Sequence, residues 1–482
     1  MTIVPLDKRG VDFNQRLKLN FRHTPTLEQD QLFYAFTRFV FSAKSRCALL
    51  VKGYAGTGKT TCVSAMVRTL KSIGINSTLL APTGRAAKVL GNYSGEPAWT
   101  MHREIYRRKA DRSGNFYFEL RDNQHSDTLF FVDEASMIGT EKTGMNPGVI
   151  ASGDLLEDLI TYVFAGENCR VVFIGDTAQL PPVGSDQSPA LQLGYLRSTF
   201  NLNIAEMMLT EVIRQQKGSG ILENATATRQ LIAQRKLELP KLKIGEFADV
   251  NLVQSDVQPI VESALIQHGK DNTIIITRSN KRANLFNQQV RLNILGHEEE
   301  INATDRMMVL KNNYFWLDEK GVERAGFIAN GDVIEVKRIR KFEDRGTYRF
   351  CRATISLIDY PDLEEMEVLL LCNSIWEEAP SLSFEKMRGL YDMVAEDYAH
   401  LESRPKIRKA IQEDPYYNAL QVKFAYAVTC HKAQGGQWSC VFVDQGYITD
   451  EMVGVELNRW LYTAFTRAQK ELWLVGFDER FF

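Results

Sequence analysis

The stretch Ala48-Leu-Leu-Val-Lys-Gly-Tyr-Ala-Gly-Thr-Gly-Lys-Thr60 begins as a short apolar strand and continues into a glycine-rich loop. The loop, 53–60, fits the pattern G-x-x-x-x-G-K-[ST], and apolar residues follow it at helical spacing. Glycines let backbone N–H groups surround a phosphate, and the positive end of the helix dipole adds to the attraction. The pattern therefore predicts a phosphate-binding loop, with Lys59 on the β- and γ-phosphates and the Thr60 hydroxyl on Mg²⁺. The predicted ATP-binding residues of this stretch are Gly53, Ala55, Gly56, Thr57, Gly58, Lys59, Thr60 and Thr61.

Two later apolar strands lead into acidic residues. Leu129-Phe-Phe-Val-Asp133-Glu134 places two carboxylates at the carboxyl end of a strand, where ligands of parallel α/β sheets gather. Downstream of a complete phosphate loop, this favours Asp133 as an Mg²⁺ ligand and Glu134 as the group that activates the attacking water. The strand at 171–174 continues to Gln179, which we expect to sense the γ-phosphate. The alternative for Gln179 is a polar turn stabilised by the two prolines at 181–182.

Length and composition limit the classes of protein to which the chain can belong. With 482 residues, 44% hydrophobic and 24% charged, it can form several packed cores, and the sequence predicts an ordered multi-domain protein. The formal net charge of -2 means that nucleic-acid binding would require a local basic surface. The seven cysteines form no CxxC pair, which disfavours a zinc or iron–sulfur site and suits a reducing cytosol. The sequence has neither an apolar stretch of about 18 residues nor a signal-peptide core, so we expect a cytoplasmic protein without membrane spans.

The order of predicted elements indicates an α/β fold. Strand, helix and strand alternate from residue 48 to 81, which predicts parallel pairing, and the same alternation resumes near 272–287 and again from 424. We therefore predict two RecA-like parallel-sheet P-loop domains. The first spans 1–230 and contains an inserted β-hairpin at about 103–127. The second comprises 231–297 and 419–482, interrupted at 298–418 by a β-rich, barrel-like insertion; within it, 380–417 matches no pattern.

Short segments in a fixed order connect these elements. They are PTLEQ (25–29), GYAGTGKT (53–60), APTGRAAKVL (81–90), TMH (100–102), VDEASM (132–137), GDTAQLPPV (175–183), LTEVIRQ (209–215), TRSNKRANLFN (277–287), NNY…ANGDVIEV (312–336), TCHKAQGGQW (429–438) and YTAFTRA (462–468). In this order they resemble the motifs of helicase superfamily 1, and within it the RecD-like group of 5′-to-3′ motors. The resemblance covers most of the chain and is specific because the motifs are collinear.

The resemblance implies roles for residues that the pattern alone leaves open. Gln29 would read adenine, and Gly435 would contact the nucleotide. Arg214 and Arg467 would act as arginine fingers on the γ-phosphate, although an arginine of unknown placement is otherwise a surface ion pair. Strand contacts implied for the first domain are Pro82, Thr83, Arg85 and His102, and those for the second are Thr277, Arg278, Asn280, Thr429, His431 and Lys432. His102 could instead stack on a base, and the hairpin aromatics at 116–118 could form a strand-separating wedge or pack within their strand.

The function predicted from the sequence is an ATP-dependent single-stranded DNA translocase that unwinds duplex DNA, 5′ to 3′. Its cofactors would be ATP and Mg²⁺, and its partners single-stranded DNA and junctions of single and double strands. Recombination, repair or replication proteins are candidate partners, and a monomer is expected. The alternatives are an RNA helicase of the same superfamily, a P-loop ATPase acting on a protein, and a nucleic-acid-binding subunit without hydrolysis. An ATPase acting on a protein would not need the segments after residue 424, and a binding subunit without hydrolysis would not need Lys59.

Overall fold

The computed structural model describes residues 6–110, 116–139, 149–150, 154–213, 218–317, 327–401 and 403–482. These residues form two compact units. The first contains most of the described chain up to Lys236. The second contains the residues from Leu237 onward, together with 83–85 and the described part of 108–117.

The first unit is built on a six-stranded sheet. In chain order the elements of this half are α1 (Lys8–Phe21), α2 (Leu27–Val40), β1 (Cys47–Gly53), α3 (Lys59–Ser72), β2 (Asn76–Ala81), α4 (Gly84–Ser94), β3 (Ala98–Thr100), α5 (Met101–Ile105), β4 (Tyr106–Ala110), β5 (Phe116–Leu120), β6 (Thr128–Val132), β7 (Val149–Ile150), α6 (Leu155–Ala165), β8 (Arg170–Gly175), α7 (Leu193–Phe200), β9 (Asn203–Leu209) and α8 (Gly220–Gln234). The sheet order is β3-β2-β6-β8-β1-β9, and every pairing is parallel. Strands β4, β5 and β7 form a separate small sheet.

Burial on both faces explains the continuous apolar strands of this sheet. Strands β6 and β8 are buried along their whole length, as expected when helices cover both faces of a parallel sheet. One face packs against α1, α2 and α3, with Phe33 and Phe36 fully buried, and the other face packs against α5, α6 and α7. The two cores hold the carboxyl ends of β6, β8 and β1 in a fixed row.

The second unit combines a five-stranded sheet with a barrel. Its elements are β10 (Val250–Val253), α9 (Gln258–His268), β11 (Thr273–Thr277), α10 (Asn280–Gln289), β12 (Arg306–Val309), β13 (Val333–Arg345), β14 (Tyr348–Leu357), β15 (Met366–Leu371), α11 (Phe384–Asp397), α12 (Arg404–Gln412), β16 (Leu420–Phe424), β17 (Ala427–Thr429), α13 (Cys430–Ala433), β18 (Trp438–Asp444), α14 (Val455–Phe465) and β19 (Ala468–Val475). The parallel sheet has the order β10-β19-β18-β11-β17. Strands β12 to β16 close into a barrel, and a π-helical turn at Val290–Ile294 extends α10.

The barrel joins the parallel sheet through a buried ionic cluster. Arg291 donates to both carboxylate oxygens of Asp305, at 2.9 to 3.2 Å, and both side chains are almost fully buried. Asp305 also accepts hydrogen bonds from the Tyr426 hydroxyl and the Asn302 backbone N–H. His297 lies 2.9 Å from the same carboxylate. A buried charge is tolerated only when it is paired and hydrogen-bonded. This cluster therefore holds the residue before β12 against the segment that follows β16.

The predicted fold class is confirmed: two parallel α/β sheets, a small inserted sheet containing β4 and β5, and a β-barrel within the second unit. The domain boundaries drawn at 230/231 and 298–418 stay predictions; the first unit runs to Lys236, and β16 completes the barrel. The region 380–417, which matched no pattern, contains α11 and α12 between β15 and β16. All seven cysteines are buried and unpaired. Among the described helices, none combines the length and the apolar character needed to cross a bilayer.

Candidate nucleotide and nucleic-acid sites

The phosphate loop lies between β1 and α3, as its sequence predicts. Gly56 and Gly58 have φ angles of +76° and +77°, which residues with a Cβ adopt only with strain. A Cβ on Gly58 would also lie 2.7 Å from Nε2 of Gln29 and 2.6 Å from Cδ1 of Ile213. The Lys59 amine donates to the carbonyls of Gly53 and Tyr54, at 2.7 and 2.9 Å. Lys59 is thus held directly against the predicted phosphate-binding loop.

Gln29 attaches helix α2 to this loop. Its Oε1 accepts from the Thr26 N–H at 3.0 Å, while its own N–H donates to the Thr26 hydroxyl, so the two residues form a capping box. Its Nε2 donates to the Thr57 carbonyl at 3.0 Å, and only 1% of the residue is exposed. Gln29 therefore fixes the start of α2 to the backbone of the phosphate loop. The predicted contact between Gln29 and adenine stays a prediction.

Asp133 and Glu134 follow β6, two strands away from β1 in the sheet. Burial raises the pKa of the Asp133 carboxyl, the neighbouring Glu134 carboxylate raises it further, and the charge of Lys59 opposes both effects. Asp133 Oδ1 accepts from the Glu134 N–H at 2.8 Å, and Glu134 has a left-handed backbone (φ +50°) that turns the chain away from the strand. Two adjacent carboxylates facing a lysine form a site whose charge balance a divalent cation would improve.

Gln179 follows β8, the strand between β6 and β1. The residue is 6% exposed, and its Oε1 atom is buried without a hydrogen-bond donor among the described residues. Asp176, at the end of the same strand, accepts from the Ala178 N–H at 2.9 Å and fixes the turn. An unsatisfied buried carbonyl costs free energy, so a donor such as water or a ligand hydroxyl would be favoured at this position. The carboxyl ends of β6, β8 and β1 thus carry all three predicted hydrolytic segments side by side.

The segment that precedes Arg214 runs along the phosphate loop. The Leu209 carbonyl accepts from the Tyr54 N–H at 3.2 Å, and the Ile213 N–H donates to the Gly56 carbonyl at 3.0 Å. Arg214 itself lies outside the described residues, so its proposed finger role stays a prediction.

Glu28 holds the same segment, and the sequence reasoning missed it. Its carboxylate accepts from the Thr210 N–H and hydroxyl, both at 2.5 Å, and from the Glu211 N–H at 2.9 Å. Glu28 and Thr210 are 182 positions apart, so no local spacing could have predicted their contact. Arg229 was also missed: its guanidinium lies 4.1 Å from the centre of the Tyr54 ring in the phosphate loop.

Arg467 is an internal residue of the second unit. Only 3% of it is exposed, and its guanidinium donates to the carbonyls of Thr463 and Gly436, at 3.1 and 3.3 Å. The bond to Gly436 joins the YTAFTRA segment to TCHKAQGGQW. Gly435 is buried and has a φ of +75°. Nucleotide contacts by Arg467 and Gly435 remain predictions.

Most strand-contact residues predicted for the second unit gather at one edge of its sheet. Thr277 and Thr429 end β11 and β17 in direct register, and Arg278 follows Thr277. The Thr277 side chain is fully buried and donates to the Ser279 carbonyl, so it stabilises the turn that follows β11. His431 is exposed on α13.

Lys432 and Asn280 complete this edge. Burial and, to a smaller extent, the charge of Lys423 together lower the pKa of Lys432 to about 8. Its amine donates to the Asn330 side chain in the barrel, and Asn280 begins α10.

The strand-contact residues predicted for the first domain follow β2 and β3. These neighbouring strands end in register at Ala81 and Thr100, so Pro82 and His102 lie at the same sheet edge. Thr83 and Arg85 come next along the chain, at the start of α4. Burial lowers the pKa of His102 to about 4, and the charge of Asp158 opposes this shift. His102 is therefore neutral at pH 7 and suits stacking or a neutral hydrogen bond more than charge pairing with phosphate.

Comparison with known proteins relates the two halves of the chain to ATPase and helicase families. The AAA domain family matches residues 38–241, and the UvrD-like helicase C-terminal domain family matches 424–475. The ATP-dependent RecD2 DNA helicase of Deinococcus radiodurans is 33% identical over 178 residues, 37% of this chain and 21% of that protein. The ATP-dependent DNA helicase dda of phage T4 is 28% identical over 183 residues, 37% of each chain.

A crystal structure of Pif1 helicase from Bacteroides with ADP-AlF3 and single-stranded DNA covers 95% of this chain and 94% of that one, at 15% identity and a TM-score of 0.46. The alignments with the RecD2 and dda proteins each span well under half of the relative's length. The AAA family match includes the loop at 53–60, and the nucleotide-binding role of that loop stays a prediction. In its ordered motifs and its two matched families, the chain is similar to the RecD-like group of helicase superfamily 1.

Proposed function

We propose that this chain is an ATP-driven motor that translocates on single-stranded DNA and unwinds duplex DNA in the 5′-to-3′ direction. The observation that carries the proposal is the row of strand ends β6, β8 and β1. This row brings the Asp133–Glu134 pair, Gln179 and the phosphate loop to one edge of one sheet. Two relatives, each aligned with 37% of this chain, are named ATP-dependent DNA helicases.

ATP hydrolysis at this edge would use Mg²⁺. Thr60 on the first turn of α3 and Asp133 after β6 offer hydroxyl and carboxylate oxygens, the donor type that Mg²⁺ prefers. Bound there, the ion would neutralise negative charge on the phosphate oxygens. Lys59 would hold the same phosphates, Glu134 would accept a proton from the attacking water, and the free Oε1 of Gln179 would orient that water. The finger roles of Arg214 and Arg467 are part of the proposal.

The polar side chains that follow the carboxyl ends of the β-strands would bind the DNA. Hydroxyls, amides and cations bind phosphate without reading sequence, as a translocating motor requires. In the second unit, the bond between Arg467 and Gly436 joins a proposed nucleotide-contacting segment to a proposed strand-contacting one. We propose single/double-strand junctions as the substrate, acted on by a monomer in the cytoplasm, where buried thiols remain reduced.

Steady-state ATP hydrolysis with and without oligo-dT tests the proposal. The wild type should be strongly stimulated by the strand, and Lys59→Ala should abolish the stimulated rate. Lys71→Ala is the matched control, since Lys71 lies on the same helix but pairs with Glu96 at the surface. An oligo-U arm separates DNA from RNA preference, and duplexes with 5′ or 3′ tails test the direction. Equal rates with and without any strand would reject the motor and favour an ATPase that acts on a protein.

A further inference from the structure

The loop that follows β18 displays an exposed aromatic side chain. Gly446 takes a left-handed conformation (φ +64°) and turns the chain out of the strand. Tyr447 comes next and is 81% exposed, whereas Ile448 after it is buried. A large aromatic ring left in solvent gains free energy when it is covered, so the position favours a flat apolar ligand.

Hydrogen bonds hold the backbone of this loop at two carbonyls and hold the Gln445 side chain just before it. Arg278 donates to the Tyr447 carbonyl at 3.2 Å, and Arg480 donates to the Ile448 carbonyl at 3.3 Å. Before the turn, the Gln445 side chain and Asp478 are joined by two bonds, at 2.7 and 3.2 Å. A ring presented by a fixed backbone loses little conformational entropy when it binds, which is the condition for an efficient stacking platform.

The loop lies beside Arg278, one of the cations proposed to bind the strand. Strand β18 pairs with β11 up to Val443 and Ile276, so the loop emerges next to Arg278. The Arg278 guanidinium lies 5.8 Å from the centre of the Trp460 ring and 3.5 Å from Sδ of Met452. Arg278 is thus held by its neighbours while it bonds the backbone of the tyrosine.

We propose that Tyr447 stacks against a nucleobase of the bound single strand. The inference rests on the proposed function, since it assumes that this edge carries DNA. Single-stranded DNA fits this arrangement. Arg278 would attract a phosphate group, and the Tyr447 ring would cover one face of a base. The acidic Asp450 of the same loop is paired with Arg480 at 2.8 Å, which reduces its repulsion of the phosphates. Stacking does not depend on base identity, as a translocating motor requires.

Fluorescence anisotropy with labelled oligo-dT tests this role. We expect Tyr447→Ala to weaken binding by about five-fold to about 150-fold, the range found for removal of one stacking side chain. Tyr447→Phe keeps the ring and should bind as the wild type does. The matched control is Phe384→Ala, because Phe384 is also 81% exposed in the second unit but lies at the start of α11. It should leave the affinity unchanged.

An abasic oligonucleotide of the same length separates stacking from backbone contact. The wild type should bind it more weakly than oligo-dT, and Tyr447→Ala should cause no further loss. An equal loss on both oligonucleotides would overturn the stacking role, because the substitution would then act through phosphate contacts or the fold. Unchanged oligo-dT affinity in Tyr447→Ala would also overturn it. If the wild type binds neither strand, the proposed function fails, which is distinct from failure of the tyrosine alone.

Discussion

Replacing Glu28 tests whether the first turn of α2 holds the segment that leads to Arg214. The Glu28 carboxylate accepts three hydrogen bonds, two from Thr210 at 2.5 Å and one from the Glu211 N–H at 2.9 Å. Burial alone would raise the pKa of Glu28, but these three bonds lower it overall. The carboxylate is therefore charged at neutral pH, and each bond is of the stronger, charge-assisted kind.

The magnitude follows from the number and type of these bonds. A hydrogen bond to a charged group contributes about 1.5–3 kcal/mol, and less where water can replace it, as at the half-buried Glu28. Glu28→Gln keeps the shape and a neutral acceptor, so we expect a loss of about 1–2 kcal/mol in the docking of the segment. Glu28→Ala removes every acceptor and should cost about 2–4 kcal/mol. Since about 1.4 kcal/mol is a tenfold change, kcat in the glutamine variant should fall by at most about thirtyfold.

The assay is steady-state hydrolysis at saturating oligo-dT, with kcat and KM determined separately. A segment that acts in the transition state lowers kcat more than it raises KM. Glu96→Gln is the matched control, since Glu96 is an acid of the same unit that pairs with Lys71 at the surface. Equal kcat values in the Glu28 and Glu96 variants would refute the reasoning. So would a loss of folding stability in Glu28→Gln with kcat preserved, because Glu28 would then only stabilise the fold.

Two further predictions concern buried ionisable groups. The pKa of His102 is depressed to about 4, below the ordinary value of about 6.5. Its contribution to stability is therefore complete above pH 6.5 and is lost as the pH falls towards 4, so the melting temperature of His102→Gln should depend less on pH between 7.5 and 5 than that of the wild type. Asp305→Asn leaves Arg291 buried without its counter-ion and should lower the free energy of unfolding by about 3–5 kcal/mol in urea titrations. The exposed pair of Arg16 and Asp12 is the control: Asp12→Asn should cost about 1 kcal/mol or less, and equal losses would contradict the role of burial.

The sequence predicted those parts of the molecule that local pattern determines. A phosphate loop needs glycine at positions of positive φ, and the structure places Gly56 and Gly58 there. Strands buried on both faces read as continuous apolar runs, which is why β6 and β8 could be located and the parallel sheets predicted. The change after residue 298 to strands separated by turns predicted a β-rich insertion, and the resemblance implied that it is barrel-like; the structure has a closed barrel there.

Contacts between residues far apart in the sequence could not be predicted from local sequence patterns. PTLEQ suggested a role for Gln29 through resemblance, but its bond to the Thr57 carbonyl depends on how α2 packs against the loop. The resemblance implied Thr277 as a strand contact, yet its position at the end of an interior strand of the sheet buries it. The charged stretch 380–417 contains two helices that were not predicted, because few apolar residues mark their buried faces: Leu390 and Val394 in α11, and Ile411 in α12.

The adjacent residues Glu28 and Gln29 show how one helix end can relate two parts of an active site. Successive side chains on a helix point about 100° apart, so neighbours on the first turn of α2 reach different partners. Gln29 bonds the carbonyl of Thr57 in the phosphate loop, and Glu28 bonds Thr210 in the segment that leads to Arg214. A displacement of the loop would therefore move the helix end and, with it, the docking of that segment. The N-terminus of α2 thus contacts both the phosphate loop and the segment that leads to Arg214 within the first unit.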